Sequence, residues 1–258
     1  MDKRFFDLSV STYGVARSQN VDIVLLPWGA TEPHNLHLPY MTDCILSHDV
    51  AIDAALKAYE VHGLRCMVMP PVTMGSQNPG QRNLKFCIHA RYQTQFAILC
   101  DIVDSLYNQG FRKLVIINGH GGNNFKNMIR DLSVDYPDFM IACGEWFKMA
   151  PVKEYFDEPG DHADEIETST MMHYHPDLVR IEEAGPGIGH EFTIDALREG
   201  KVWLPRNWNL ASPEDTGIGN PHRSTAEKGK RFVEAVATAY AHFLQQFSEI
   251  EQPKDLYK

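Results

Sequence analysis

The chain has 258 residues, and 24 Lys/Arg against 34 Asp/Glu give a net charge of −10 with histidine neutral. Its 43% hydrophobic and 22% charged content is that of a globular chain able to bury a sizeable core, which excludes a disordered chain, a fibrous repeat and a coiled coil. So acidic a chain repels nucleic-acid phosphates and anionic membrane surfaces, and its densest basic cluster, Lys228, Lys230 and Arg231, reads as a solvated helix face.

Short apolar runs alternate with segments of helical period. Val21–Pro27 is predicted as a buried strand, and 45–61 as a helix carrying Leu46, Val50, Ala54 and Leu56 on one face. Cys66–Val72 reads as a second strand, punctuated by Pro70 and Pro71. A helix over 93–109 repeats Phe96, Leu99, Val103 and Leu106 and stops at Gly110. Lys113–Asn118 is a third strand, 124–131 a helix and 139–144 a fourth strand. Further on, 166–173 is predicted as a helix stopped by Pro176, 183–222 as loops with a short strand at 201–204, and 225–247 as a long amphipathic helix. This order predicts an α/β fold with three α/β/α layers and a mostly parallel central sheet, in one domain spanning 1–258.

Five widely spaced cysteines without C-x-x-C imply neither a disulfide framework nor a structural zinc module. Met1–Asp7 lacks the apolar core of a signal peptide, and no apolar run approaches the ~20 residues of a membrane span, so a cytoplasmic protein is expected.

Three clusters carry potential chemistry. The loop after the first strand, GATEPHNLHLPYMTD, packs Glu32, His34, His37 and Asp43 into twelve residues. Glu-x-His on extended backbone directs two side chains to one side, within reach of one or two adjacent metal ions. Carboxylate with imidazole suits Zn, Mn or Fe, and a carboxylate such as Asp43 can bridge two ions. The second cluster, NGHGGNN after the third strand, lets a ligand approach His120 closely. Its rival reading is a phosphate cradle in a non-catalytic nucleotide-binding module, although the glycines miss the G-x-G-x-x-G pattern. The third, DHADEIETS, has an acidic helix start that suits the helix dipole for Asp164 and Glu165 but leaves His162 unexplained. The three clusters contain no Arg or Lys, which argues against phosphoesterase chemistry on the same ligand set. A metal-dependent isomerase remains the other enzymatic alternative.

His173 and His175 read as structural or solvent-facing, and Cys44 as a small buried hydrophobe. Trp203 and Trp208 read as loop or subunit packing, or as a wall of the pocket, and His37 and Tyr40 as partners that orient the ligands.

The first cluster resembles the G-S-x-E-Q-H-G-x-H-L-P-x-x-T-D signature of the creatininase (creatinine amidohydrolase) family. NGHGGNN, HADEIETSTMM and GIGNPHRSTAEKGKRF are similar to its later blocks, in family order over about 20–235. The resemblance implies a dinuclear metal centre with zinc as the first choice (manganese or iron as alternatives), hydrolysis of a non-peptide C–N bond in a small molecule, and a homo-oligomer such as a hexamer. It places Glu32, His34, Asp43 and His120 at ligand positions, with Asp43 bridging, and His162 at the position of a histidine that acts on the substrate or transfers protons. Creatininase itself has a glutamate two residues after the second-block histidine, where this chain has Gly122. Glu167 is the favoured replacement ligand, water the alternative, and creatinine is a doubtful substrate. Asn35 stands where the family usually has glycine.

Overall fold

The computed structural model describes residues 2–257. Four strands, β1 (Ile23–Trp28), β2 (Cys66–Val68), β3 (Lys113–Asn118) and β4 (Met140–Glu145), form one all-parallel sheet in the order β2-β1-β3-β4. The helices are α1 (Tyr13–Ala16), α2 (Thr42–His62), α3 (Tyr92–Asn108), α4 (Lys126–Asp135), α5 (Glu165–Tyr174), α6 (Asp195–Arg198), α7 (Trp208–Ala211) and α8 (Ala226–Ser248).

Both faces of the sheet are covered, which is why β1 is apolar without interruption and buried at every residue. Its side chains still alternate. Ile23 and Leu25 join Val115 and Ile117 of β3 in a core that takes in α2, α5 and α8, including Leu46, Met171 and Phe232. Val24, Leu26 and Trp28 join Leu114 and Ile116 against Leu99, Val103, Met128 and Leu132 of α3 and α4. Each fully buried Leu or Ile contributes ~1.5–3 kcal/mol. α8 approaches α5 so closely that a Cβ on Gly229 would overlap the Ser169 carbonyl.

Register decides the rest. Trp28 pairs with Asn118, so β1 and β3 end side by side, and the chain leaves both strands at the same edge. In open parallel sheets, ligands bind beyond these carboxyl ends.

Two differences from the sequence reading have local causes. β2 stops at Val68, because Pro70 and Pro71 cannot donate ladder hydrogen bonds; only Val72 rejoins, bridging Trp28. No strand forms at 201–204. The Val202 N–H instead donates to the Ala196 carbonyl, wrapping the chain around the end of α6, and Val202, Trp203 and Leu204 face outward.

Candidate metal centre

The loop from Gly29 to Met41 turns back so that α2 begins over the ends of β1 and β3. Glycine permits this approach: a Cβ on Gly29 would lie 2.6 Å from the Cys44 nitrogen, and one on Gly119 would overlap the Asp43 carbonyl. Asp43 thereby projects from the first turn of α2 between the two strand ends, where the helix dipole favours an anion.

Around it the structure brings together Glu32, His34, His120, His162 and Glu167. His34 Nε2 lies 3.0 Å from Asp43 Oδ1 and 3.9 Å from both Glu32 Oε1 and Glu167 Oε1. His120 Nδ1 is 3.1 Å from both Glu32 Oε1 and Asp43 Oδ2, and His162 Nδ1 is 3.6 Å from Glu32 Oε1. Glu32, His34, Asp43, His120 and His162 are buried, and Glu167 is nearly so. Two donor groups, Glu32–Asp43–His120 and His34–Asp43–Glu167, have their ligand atoms within 4.8 Å of one another and share Asp43. A third such group joins Glu32, His34 and His162.

The outer partners are those of metal-binding imidazoles. His34 donates from Nδ1 to the Glu32 carbonyl (3.1 Å), His120 from Nε2 to the Ser76 carbonyl (2.6 Å), and His162 from Nε2 to the Pro33 carbonyl (2.9 Å). Each bond to a backbone acceptor fixes the tautomer and leaves the opposite nitrogen facing the carboxylates. Glu32 Oε2 accepts from Gln81 Nε2 (2.9 Å) and Glu167 Oε2 from the Ala163 N–H (2.6 Å). Glu32 Oε1 and Asp43 Oδ2 are buried without a hydrogen-bond partner. Buried, orphaned carboxylate oxygens aimed at imidazoles are the donor set a divalent cation satisfies.

Without a cation, protons hold the cluster together. Burial disfavours charge on His34, but the carboxylates of Asp43, Glu167 and Glu32 outweigh it and raise its pKa to about 10. His120 is raised well above its ordinary value in the same way, by Glu32 and Asp43 against burial. Burial pushes the Glu167 carboxyl up to about 8. Asp43 is lowered because His34 and His120 outweigh its burial. His162 is lowered by burial and by His34, which keeps its ring neutral near pH 7.

Gly122 follows His120 by two residues, and a Cβ there would lie 2.5 Å from His120 Nε2 and overlap the Ser76 carbonyl. The space is filled by the 75–77 backbone that holds His120. Asp164 caps α5, accepting from the Ile166 and Glu167 N–H groups, while Glu165 turns away to Lys228 Nζ (2.5 Å). His162 sits in the loop before α5 rather than on the helix with Glu167.

Other candidates lie elsewhere. Tyr40 donates to the Lys85 carbonyl, away from the cluster, whereas His37 Nε2 meets the Thr168 hydroxyl beside Glu167 at 2.8 Å. His175 pairs with Asp49. Burial drives the Cys44 thiol far up, making it an inert small hydrophobe. Sequence reasoning missed Gln81 and the Ser76 carbonyl, and gave no bracing role to Asn118 and Asn123 within NGHGGNN; together they brace Glu32 and His120. The signal for the first two is a Gly/Pro-rich turn at 75–80.

Two adjoining hollows of about 610 and 480 Å³ both reach Glu32, His120 and His162. Trp208 walls the first and meets the His162 ring edge-on at 5.3 Å, and Trp203, 83% exposed, stands in the same wall. In NGHGGNN the N–H groups of Gly119, His120 and Asn123 are consumed by Trp28, Asn118 and the His120 carbonyl, which removes three donors from any phosphate cradle.

Fold and cluster together define a class: α/β proteins that gather carboxylates and imidazoles at the strand ends to hold divalent metal ions. The chain belongs to the creatininase (creatinine amidohydrolase) family, whose profile it matches over 9–244. Homologues in this family are metal-dependent hydrolases, including amidohydrolases and peptidases. A Bacteroides fragilis NCTC 9343 crystal structure, provisionally described as a creatinine amidohydrolase, is 55% identical with a TM-score of 0.94 over 99% of both chains. A creatininase mutant solved with creatine shares the fold, at 20% identity and a TM-score of 0.74 over 95% of this chain and 99% of that one; creatininase structures include Zn–Zn and Mn forms. Among curated proteins, the mycofactocin precursor peptide peptidase of Mycobacterium ulcerans is 29% identical (83% of this chain, 81% of that protein). The 3-dehydro-scyllo-inosose hydrolase of Thermotoga maritima is 25% identical (85% and 76%). No described helix is long and apolar enough to cross a membrane.

Proposed function

We propose that this chain, one catalytic domain over 1–258, is a dinuclear metal-dependent amidohydrolase. It cleaves the non-peptide C–N bond of a small cyclic amide, formamide or related amidine. The observation that carries the reading is the pair of buried donor groups sharing Asp43 at the floor of an open pocket. Glu32, Asp43 and His120 would hold one ion and His34, Asp43 and Glu167 the other, with Glu167 in place of the ligand that Gly122 lacks. Bound ions supply Lewis acidity, polarising the substrate carbonyl and acidifying water.

His162 supports the rest. Its Nε2–H is committed to the Pro33 carbonyl, so only Nδ1, facing the cluster, can carry a catalytic proton. Neutral before reaction, the ring can accept at Nδ1 the proton that the attacking water loses and pass it to the departing nitrogen. Trp208 covers one edge of the ring and shields it from water.

Elemental analysis of the purified protein, paired with a panel of cyclic amides and formamides, tests this reading. Tightly held Zn, Mn or Fe, together with amine or carboxylate release that chelation abolishes and metal restores, is the expected result. Protein that takes up no metal, or that holds metal but opens no C–N bond in the panel, sinks it. The outward-facing apolar residues of 183–222 support a homo-oligomer; sedimentation as a 29.3 kDa monomer would contradict the assembly.

A further inference from the structure

Among the described residues, the non-glycine positions with positive φ are Asn35 (54°), Phe86 (61°), Ala163 (49°) and Thr216 (68°). Ala163 adjoins His162, and Asn35 and Thr216 are bonded to each other. A β-branched residue in the left-handed region is a strained outlier, and such residues persist only where their surroundings over-determine them.

The surroundings of Thr216 do so. Its Oγ1 accepts from the Asn35 N–H at 3.1 Å, and its carbonyl accepts from Trp208 Nε1–H at 3.0 Å. Asn35, itself buried, has an Oδ1 that accepts from the N–H groups of Leu36 (2.6 Å) and Gly185 (2.9 Å), and its Nδ2 donates to the Gly185 carbonyl (3.3 Å). The neighbouring Asp215 carboxylate, also buried, accepts from the Gly187 and Gly217 N–H groups. Two residues beyond Thr216, Ile218 exchanges backbone hydrogen bonds with His162, at 2.8 and 3.1 Å.

We propose that Asn35 and Thr216 form a clasp that positions His162 over the candidate metal centre. Asn35 lies in the loop that carries Glu32 and His34, so the clasp ties the 183–222 segment to the ligands themselves. From Thr216 one arm hangs Trp208 against the His162 ring, with the ring planes at 88°. The other arm, through Ile218, anchors the His162 backbone. The ring is thereby held between Trp208 and the His34 ring, whose centroid is 4.3 Å away. Asn35 and Thr216 act through His162 and are positioning residues. The inference builds on the proton-transfer role given to His162 above, but its geometry is independent of whether metal binds.

The test uses full-length protein with ¹⁵N-labelled histidine, titrated with zinc and followed by NMR. Asn35→Gly keeps the left-handed backbone and removes the side-chain bonds. Thr216→Gly relieves the backbone strain and removes Oγ1. Asn35→Asp retains the acceptor for Leu36 and Gly185 and tolerates the same φ. In both glycine variants the His162 Nε2 proton is expected to exchange at least tenfold faster, with ring ¹⁵N shifts moving towards tautomer averaging. Thr216→Gly should melt no lower than wild type, and Asn35→Asp should recover most of the slow exchange. Unchanged ring signals in both glycine variants would overturn the clasp. So would an exchange increase matched by a proportional loss of melting temperature in Thr216→Gly, because that reports general loosening. Failure of wild-type protein to take up zinc would count against the metal reading alone, since the ring comparison between variants stands without it.

Discussion

The 29–43 loop and the 183–222 segment both border the candidate site, and they are built in opposite ways. In the first, nearly every polar side chain is buried and bonded within the site: Glu32, His34, His37 and Asp43 are each at most 2% exposed. The second leaves Ile188, Ile194, Val202, Trp203, Leu204 and Leu210 facing outward and is fastened inward at a few points, chiefly Asn35, Asp215 and Trp208. Groups that must converge on ions ~3.5–4 Å apart need rigid support from strand ends and a helix start. A wall that meets a substrate can be carried by loops hung from a scaffold. In this site, the candidate ligands are held at strand ends and helix starts, and the wall is hung from the clasp.

The comparison breaks most visibly at Asp43. Asp43→Asn removes the charge shared by both donor groups, and is expected to abolish binding of both ions and lower turnover by at least ~10³-fold, about 4 kcal/mol. Inductively coupled plasma analysis with single-turnover assays checks it. Glu167→Gln serves only one group. It should strip one ion, weakening that site by ~100-fold or more, while the other stays bound. Glu165→Gln is its control two residues away: the buried Glu165 carboxylate also accepts from the Glu158 N–H at 2.6 Å, so the variant should lose ~1–3 kcal/mol of stability in urea melts yet keep its metal.

Gly122→Ala probes the backbone behind His120. The added Cβ crowds both the Ser76 carbonyl and the His120 ring that it holds, which should weaken metal binding ~10–100-fold without removing a donor group. Calorimetric zinc titration reads it, and wild-type affinity would mean that His120 needs no such bond.

The smallest effect is in pH. In chelated protein Glu167 rises from 4.5 to about 8 and His34 from 6.5 to about 10 on folding. Raised groups stabilise the fold fully below their unfolded values, and that stability is lost as pH climbs through the folded ones. The chelated protein should therefore melt progressively lower from pH 7 to 9. Zinc replaces those protons, so the loaded protein should lack the trend, and the gap between the two curves should widen. Parallel curves would show that the cluster is not protonated as described.

Much of this molecule is local physics and is written in the chain. Uninterrupted apolar runs identify β1 and β3, the helical spacing of Leu99, Val103 and Leu106 identifies α3, and Lys113–Asn118 forms as the strand its residues predict. The ligand clusters are legible for the same reason, because each follows a strand or opens a helix. The strand expected at 201–204 fails because a strand needs a neighbouring edge to pair with, and the backbone bridge that 183–222 makes lies at Ile218, opposite His162; the course of the segment is set by contacts up to 181 residues away, Asn35 bonding Thr216. The braces behind the ligands were invisible for a related reason: Ser76 acts through its carbonyl, which every residue has, and Gln81 resembles any loop amide. Sequence by itself determined which residues could bind a metal and where the long helices and the strands β1, β3 and β4 would form, but not the short helices α6 and α7 within 183–222. Only the tertiary structure decided that β1 and β3 end side by side, that the Ser76 carbonyl lies behind His120, and that a strained threonine far along the chain helps to seat His162, because these follow from register, packing and long-range hydrogen bonds that no local pattern encodes.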